Sequence, residues 1–311
     1  MEGKTNLAFT GIATFCRTPH VPSIDEVQAD VAVLGIPFDE GVGYRPGTRF
    51  GPRSIREYSM RFPYFDRTGG QRGYWDIEKR RWFLTETTMV DCGDVDVVPL
   101  DMAYVHRQIE ESVRGILRKG ALPVSLGGDH SVTYPVVKAF NDQGTISLVQ
   151  FDAHLDRREE VGGVKYGHGS PIKRISQLDF IDKIVTVGLR GLRAPEEDYL
   201  DAEARGDILI PAHKVRTFGA AKTLSGIPPL GKCYVTIDID VLDPALAPGT
   251  GTPEAEGLSF HQLIKMLQGL AANNQIVGLD LVEVNPYLDP TGRTPLFAAQ
   301  LIVEFLGAIF G

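Results

Sequence analysis

Residues 146–156 read Ile-Ser-Leu-Val-Gln-Phe-Asp-Ala-His-Leu-Asp. The run from Ile146 to Phe151 is short, mostly apolar and bounded by polar residues, as expected of a strand buried on both faces of a parallel sheet. Beyond Phe151 the apolar residues give way to Asp152, His154 and Asp156. In extended backbone successive side chains alternate faces, so these three are expected to project together while Ala153 and Leu155 turn away. Carboxylates held side by side repel one another unless a cation compensates them. A metal site is therefore expected at this strand end.

Comparable runs flank this one at Val31 to Ile36, Val124 to Leu126, Ile184 to Val187, Tyr234 to Ile239 and Ile276 to Val284. Between them, Met102, Val105, Ile109, Val113 and Ile116 recur at helical spacing, with Gly120 as the expected C-cap. Ser259 and Gln262 form a capping-box pattern ahead of Leu263, Ile264, Leu267 and Leu270. Strands alternating with helices predict an α/β fold, a three-layer α/β/α arrangement around a mostly parallel sheet. No linker, low-complexity block or repeat interrupts the pattern, so residues 1–311 are expected to form a single domain. The stretch from Arg61 to Arg81 is the least regular. It reads either as an excursion at a subunit contact or over a pocket, or as a surface loop.

Hydrophobic residues make up 43% of the chain, enough for a sizeable core. The net charge is −8 and the Lys and Arg residues are dispersed, which argues against nucleic-acid and anionic-membrane partners and leaves small molecules as the expected ligands. No segment approaches the ~20 uninterrupted apolar residues of a membrane span. The opening residues MEGKTNLAFTGIATF lack the pattern of a secretory signal. Cys16, Cys92 and Cys233 lie far apart, without a CxxC pair, so neither a disulfide framework nor a thiolate zinc site is indicated. A cytoplasmic protein is expected.

Two further strand ends carry polar residues. In Leu126-Gly127-Gly128-Asp129-His130-Ser131 the glycines allow a tight turn that leaves His130 at a strand's carboxyl end, although Asp-His-Ser also reads as a helix cap. In Thr236-Ile237-Asp238-Ile239-Asp240-Val241-Leu242-Asp243-Pro244, alternation places Asp238 and Asp240 on one face, and Asp243 reads as a turn residue. Four aspartates and two histidines would then face one crevice. That set exceeds what one tetrahedral zinc needs and suits two divalent ions sharing bridging carboxylates, with the oxygen-rich ligation favouring manganese.

The segments GGDHS (127–131), DAHLD (152–156) and DIDVLDPALAPGTGTPE (238–254) resemble, in order and spacing, the three signature motifs of the ureohydrolase (arginase and agmatinase) family. RPGTRFGP (45–52) and GLDLVEVNP (278–286) are similar to two further motifs of that family, and the resemblance spans roughly residues 30 to 305. It implies an arginase-like fold and two divalent cations, Mn2+ with Ni2+ as the alternative. By that resemblance, His130, Asp152, Asp156 and Asp238 hold one ion, and Asp152, His154, Asp238 and Asp240 hold the other. A water activated between the ions would be the nucleophile. Glu283 would pair with the guanidinium of a small substrate, and His168, in YGHGSP (166–171), would donate or shuttle a proton near the site mouth. The products would be urea and an amine, and the assembly a homo-oligomer, a trimer or hexamer.

APGTGTPE and RPGTRFGP lean toward the agmatinase branch, hence an agmatine-like substrate. The loop Arg157-Arg158-Glu159-Glu160-Val161-Gly162-Gly163 departs from the family's pattern. Glu159 or Glu160 would attract a terminal ammonium, as in agmatine. Arg157 or Arg158 would attract a carboxylate, as in guanidinobutyrate, guanidinopropionate or formiminoglutamate. Alternatively all four are solvated charges, and free guanidine also stays open as a substrate. A one-zinc amide hydrolase of the deacetylase type and a catalytically silent subunit are the competing classes, and the intact ligand set counts against both. His106 and His261 fall on predicted helices, His20 and His213 in polar or irregular stretches, and none is assigned a function.

Overall fold

Along the strand Val31–Gly35 (β1), Val31 and Val33 enter one apolar core while Ala32 and Leu34 enter another. The same alternation holds on Ile146–Phe151 (β6), where Ile146 and Leu148 face one core, and Val149 and Phe151 the other. Strands covered on both faces explain why these runs carry so few exposed polar positions. The computed structural model of the protein describes residues 7–64 and 72–311. After β1 come helix α1 (Gly51–Ser59), a hairpin of β2 (Tyr74–Asp76) and β3 (Arg81–Phe83), β4 (Met89–Asp94) and α2 (Met102–Arg118). Then follow β5 (Leu122–Leu126), α3 (Thr133–Lys138), β6, α4 (Pro171–Ser176), β7 (Ile181–Leu189), α5 (Glu196–Arg205) and β8 (Ile208–Pro211). The chain closes with α6 (Ala212–Leu224), β9 (Lys232–Asp238), α7 (Phe260–Asn273), β10 (Gln275–Val282) and α8 (Arg293–Ile309).

Eight strands form one sheet in the order β4-β1-β5-β10-β9-β6-β7-β8, and every pairing in it is parallel. One core joins the sheet to α1, α6, α7 and α8 through residues such as Ile55, Val215, Leu267 and Phe305; the other joins it to α2, α3 and α4 through Val105, Val136 and Ile172. This is the expected α/β/α sandwich. Fully burying a Leu or Ile stabilises by roughly 1.5–3 kcal/mol, and truncating Phe305 to Ala would cost about 3–5 kcal/mol.

The strands read from sequence are present with adjusted ends, but β4 and β8 were not expected. Both are edge strands. One carries Asp91, Gly93 and Asp94, and the other spans four residues ending in Pro211, so neither shows an apolar run of useful length. The Ser259–Gln262 capping box forms in both directions, at 3.2 and 2.9 Å. Lys119, not Gly120, caps α2, and Gly120 follows it in the left-handed region at φ +76°. His213 lies on α6, not in an irregular stretch. Within the Arg61–Arg81 excursion, residues 65–71 lie outside the described residues. The hairpin that follows packs over α7 and α8, where Phe83, Ile264 and Val303 line a cavity of about 500 Å3.

Candidate functional site

Strands β5, β10, β9 and β6 are consecutive neighbours in the sheet, and their carboxyl ends open onto one crevice, where open α/β sheets bind ligands. Each delivers part of the polar cluster: His130 after β5, Glu283 after β10, Asp238 and Asp240 from β9, and Asp152, His154 and Asp156 from β6. Gly127 and Gly128 make the β5 end possible through close approach, because a Cβ on Gly128 would stand 1.8 Å from the Phe38 carbonyl oxygen.

The six expected ligands converge, though not by strand alternation. Strand β6 ends at Phe151, and Asp152 to Asp156 follow as a turn in which Asp156 adopts φ +48°. Strand β9 ends at Asp238, whose Oδ1 accepts from the Asp240 N–H (2.9 Å) at the start of a single 3-10 turn. His130 Nδ1 sits 3.1 Å from Asp152 Oδ2, 2.9 Å from Asp156 Oδ2 and 3.4 Å from Asp238 Oδ2. His154 Nδ1 sits 3.0 Å from Asp240 Oδ2 and 3.5 Å from Asp152 Oδ1. Two groups of potential ligand atoms result, His130-Asp152-Asp238 and Asp152-His154-Asp240, sharing Asp152.

The electrostatics call for cations. Burial, together with neighbouring carboxylates, pushes the pKa of Asp156 and of Asp238 up, while His130 and His154 overcome the burial of Asp152 and hold it well below the usual range. His130 Nδ1 and Asp240 Oδ2 are buried and align a hydrogen bond with no described residue. The cause is visible on the other side of the His130 ring. Its Nε2 lies 3.0 Å from Thr236 Oγ1, and Thr236 spends its own proton on Asp280 Oδ1 at 2.6 Å. Thr236 can then only accept, so Nε2 keeps a proton and Nδ1 is the nitrogen aimed at the three carboxylate oxygens. Burial opposes a charged His130, but with no ion bound those carboxylates outweigh it, push its pKa well up and favour a proton on Nδ1, the place a divalent ion would take. Four carboxylates and two imidazoles fit two hard or borderline divalent ions.

Glu283 and His168 meet beside this cluster. Glu283 is 1% exposed and held at φ +63°, a left-handed conformation that is uncommon outside glycine and gathers at functional sites. Its Oε1 accepts from the His130 N–H (2.9 Å) and faces His168 Nδ1 at 3.1 Å. The His168 N–H donates to the Gly41 carbonyl (3.0 Å), and Gly43 N–H reaches His168 Nε2 at 3.3 Å. Burial pulls the His168 imidazole down, but the hydrogen bond and charge of Glu283 outweigh it and push the group up to about 9.

Several residues that sequence reading passed over support the site. Gln150 donates to Asp152 Oδ2 (2.6 Å) and accepts from Thr186 (2.8 Å). Arg190 donates to the carbonyls of Asp240 (2.6 Å) and Glu254 (3.0 Å), tying the loop after β9 to the end of β7. Glu254 Oε1 stands 3.5 Å from His154 Nε2. Asp129 accepts from the Gly41 N–H (2.8 Å), and its burial and the nearby Glu283 charge push it up to about 7. The usable signal was polarity inside buried strands: Gln150, Thr236 and Asp280 interrupt otherwise apolar runs.

The loop after Asp156 separates into spent and free charges. Arg157 is 3% exposed and points away from the crevice, donating to Asp201 (2.8 Å) and Asp207 (2.5 Å). Glu159 pairs with Arg174 at 2.8 Å. Arg157 is not available to a substrate tail, which corrects one of the four candidates, whereas Glu159 is paired but exposed. Arg158 is half-buried with 43% of its side chain exposed, and Glu160 is exposed.

A sequence model described as the Arginase family matches residues 29–307. The chain is 36% identical over 319 residues to the guanidinobutyrase of Pseudomonas aeruginosa, covering 100% of this chain and 96% of that protein. It is 35% identical to the mitochondrial agmatinase of Gallus gallus, over 97% of this chain and 86% of the other. The solved proclavaminate amidino hydrolase from Streptomyces clavuligerus superposes with a TM-score of 0.85 at 32% identity, covering 97% and 98% of the two chains.

Proposed function

Because the chain belongs to the arginase family, we propose that it hydrolyses the guanidino group of a small, linear substrate to urea and an amine. The observation that supports this most is Glu283, a buried carboxylate held in strained backbone between the ligand cluster and His168. His130, Asp152, Asp156 and Asp238 would hold one divalent ion, and Asp152, His154, Asp238 and Asp240 a second. The oxygen-rich donors favour Mn2+, with Ni2+ as the alternative. When bound, such a pair supplies the acidity that makes water a nucleophile near neutral pH.

The chain's own residues orient the substrate and manage a proton. A guanidinium is planar and permanently cationic, and its N–H groups suit a carboxylate acceptor. Glu283 Oε1 is already fixed by the His130 N–H, so the carboxylate is oriented before substrate arrives. As the guanidinium pairs with Glu283, its positive charge lowers the proton affinity of His168. The imidazole is then suited to pass its proton to the nitrogen that leaves as the amine, while the oxygen of water ends in urea. The Gly41 carbonyl holds the His168 backbone N–H, and the Gly43 N–H reaches Nε2 when that nitrogen carries no proton.

We further read residues 1–311 as one domain in a cytoplasmic homo-oligomer, a trimer or hexamer. Buried free thiols at Cys16, Cys92 and Cys233 support a reducing compartment, and exposed Trp75, Ile77 and Trp82 on the hairpin support a subunit contact. Among the described residues no helix is long and apolar enough to cross a membrane. The test of the central reading is urea release by the Mn2+- or Ni2+-loaded protein from agmatine, arginine, 4-guanidinobutyrate, 3-guanidinopropionate and guanidine. Urea from at least one guanidino compound is expected; silence on all of them with both metals would sink the proposal.

A further inference from the structure

We propose that the mouth of this site is built for an anionic tail, with Arg158 and Arg193 binding the carboxylate of a short ω-guanidino acid. The inference rests on the guanidino-hydrolase reading and specifies its substrate class.

Charges on the loops at the strands' carboxyl ends divide into those already compensated and those still free. On the loop after β1, Asp39 and Glu40 are both paired with Arg49. After β6, Arg157 is consumed by Asp201 and Asp207, and Glu159 by Arg174. After β9, Glu256 is paired with Arg216, and Glu254 faces His154 at the ligand cluster. An ammonium tail would find these acids engaged; the exposed Glu160, and Glu196 and Glu197 at the start of α5, are acids without an ion pair to a described residue.

The basic residues are less well satisfied. Arg158 begins two positions beyond Asp156; its N–H donates to the Gly169 carbonyl (3.0 Å), and its Cγ lies 3.8 Å from where a Cβ on Gly169 would stand. Its stem therefore runs beside the residue next to His168. The side chain is 43% exposed, its Nε lies 3.5 Å from Asp198 Oδ2, and its Nη2 reaches the Arg193 carbonyl at 3.5 Å. Both contacts are at the limit for hydrogen bonds, so the guanidinium fork is largely unspent. Arg193, on the loop after β7, is exposed and makes no ion pair with a described residue. Two arginines thus come together at one rim, where Asp198 makes one loose contact with Arg158, and the exposed Glu196 and Glu197 share the first turn of α5 with Asp198. In a chain of net charge −8, an arginine fork left unspent beside the site suits a carboxylate ligand and disfavours the second ammonium of a diamine-type substrate.

The experiment compares kcat/KM for urea release from 4-guanidinobutyrate, 3-guanidinopropionate and agmatine, with titration calorimetry of 4-aminobutyrate as a binding readout. The parent protein is expected to favour a guanidino acid over agmatine by about tenfold or more. Arg158→Gln and Arg193→Gln should each cut that preference about tenfold, through KM more than kcat, and weaken 4-aminobutyrate binding in parallel. Arg158→Glu should move the preference toward agmatine. Urea formation with agmatine preferred by the parent, or with a preference that neither arginine changes, overturns this inference and leaves the hydrolase reading standing. No urea from any guanidino compound, from protein that melts cooperatively with two metals bound, overturns both.

Discussion

The Nε2 of His130 lies 3.0 Å from the Thr236 hydroxyl, and that contact decides which nitrogen of the ring is free to bind metal. Thr236 donates to Asp280, which also accepts from the Tyr234 hydroxyl at 2.8 Å, so a buried chain of polar groups runs from the sheet interior to the ligand cluster.

Thr236→Val keeps the shape of the side chain and removes the acceptor. It should weaken metal binding about 10- to 100-fold, as measured by calorimetry. It should also lower stability by roughly 1–3 kcal/mol, because a buried imidazole N–H loses its partner. Unchanged metal affinity would show that the tautomer is fixed in some other way.

Glu283→Gln keeps the volume of the side chain and removes the charge that meets the guanidinium. The variant should retain both ions while kcat/KM falls by at least about 100-fold. Loss of metal together with activity would place Glu283 among the groups that hold the ions.

His168 titrates at about 9 because Glu283 stabilises its charged form. A folded-state value above the unfolded ~6.5 means that this interaction stabilises the fold fully below pH 6.5 and is lost as pH rises through 9. In metal-free protein, NMR titration of the imidazole should give a midpoint near 9 that moves back toward 6.5 in Glu283→Gln. A midpoint insensitive to that substitution would contradict the pairing.

Arg157 should matter to stability and not to substrate choice. Asp207 is 1% exposed in its side chain and is shared with Arg205, so Arg157→Leu should cost about 3 kcal/mol in denaturant unfolding, the lower end for a broken buried pair. A change in tail preference with unchanged stability would reverse the roles of Arg157 and Arg158.

The layers of the fold and the six clustered side chains were legible in the sequence because they depend on local pattern. Apolar runs mark doubly covered strands, and closely spaced carboxylates require compensation. The way the side chains converge was not legible. Asp156 reaches the cluster through left-handed backbone, and Asp240 through a 3-10 turn capped by Asp238, where alternation along a strand had been expected. Arg157 and Arg158 are adjacent and of one type, yet one is buried and the other only half-buried. Their difference is set by Asp201 and Asp207, more than 40 residues away, at separations of 44 and 50. Thr236 and Asp280 become meaningful only when β9 and β10 lie side by side, which no single strand's pattern reveals.

The central claim is a two-metal centre, and its most direct test is the metal content of the folded protein after reconstitution with Mn2+ and removal of free ions. The arrangement around Asp152, whose two oxygens face His130 and His154 separately, predicts two ions per chain, falling to one or none in Asp152→Ala. A single ion per chain in the parent protein, or two retained without Asp152, would contradict it.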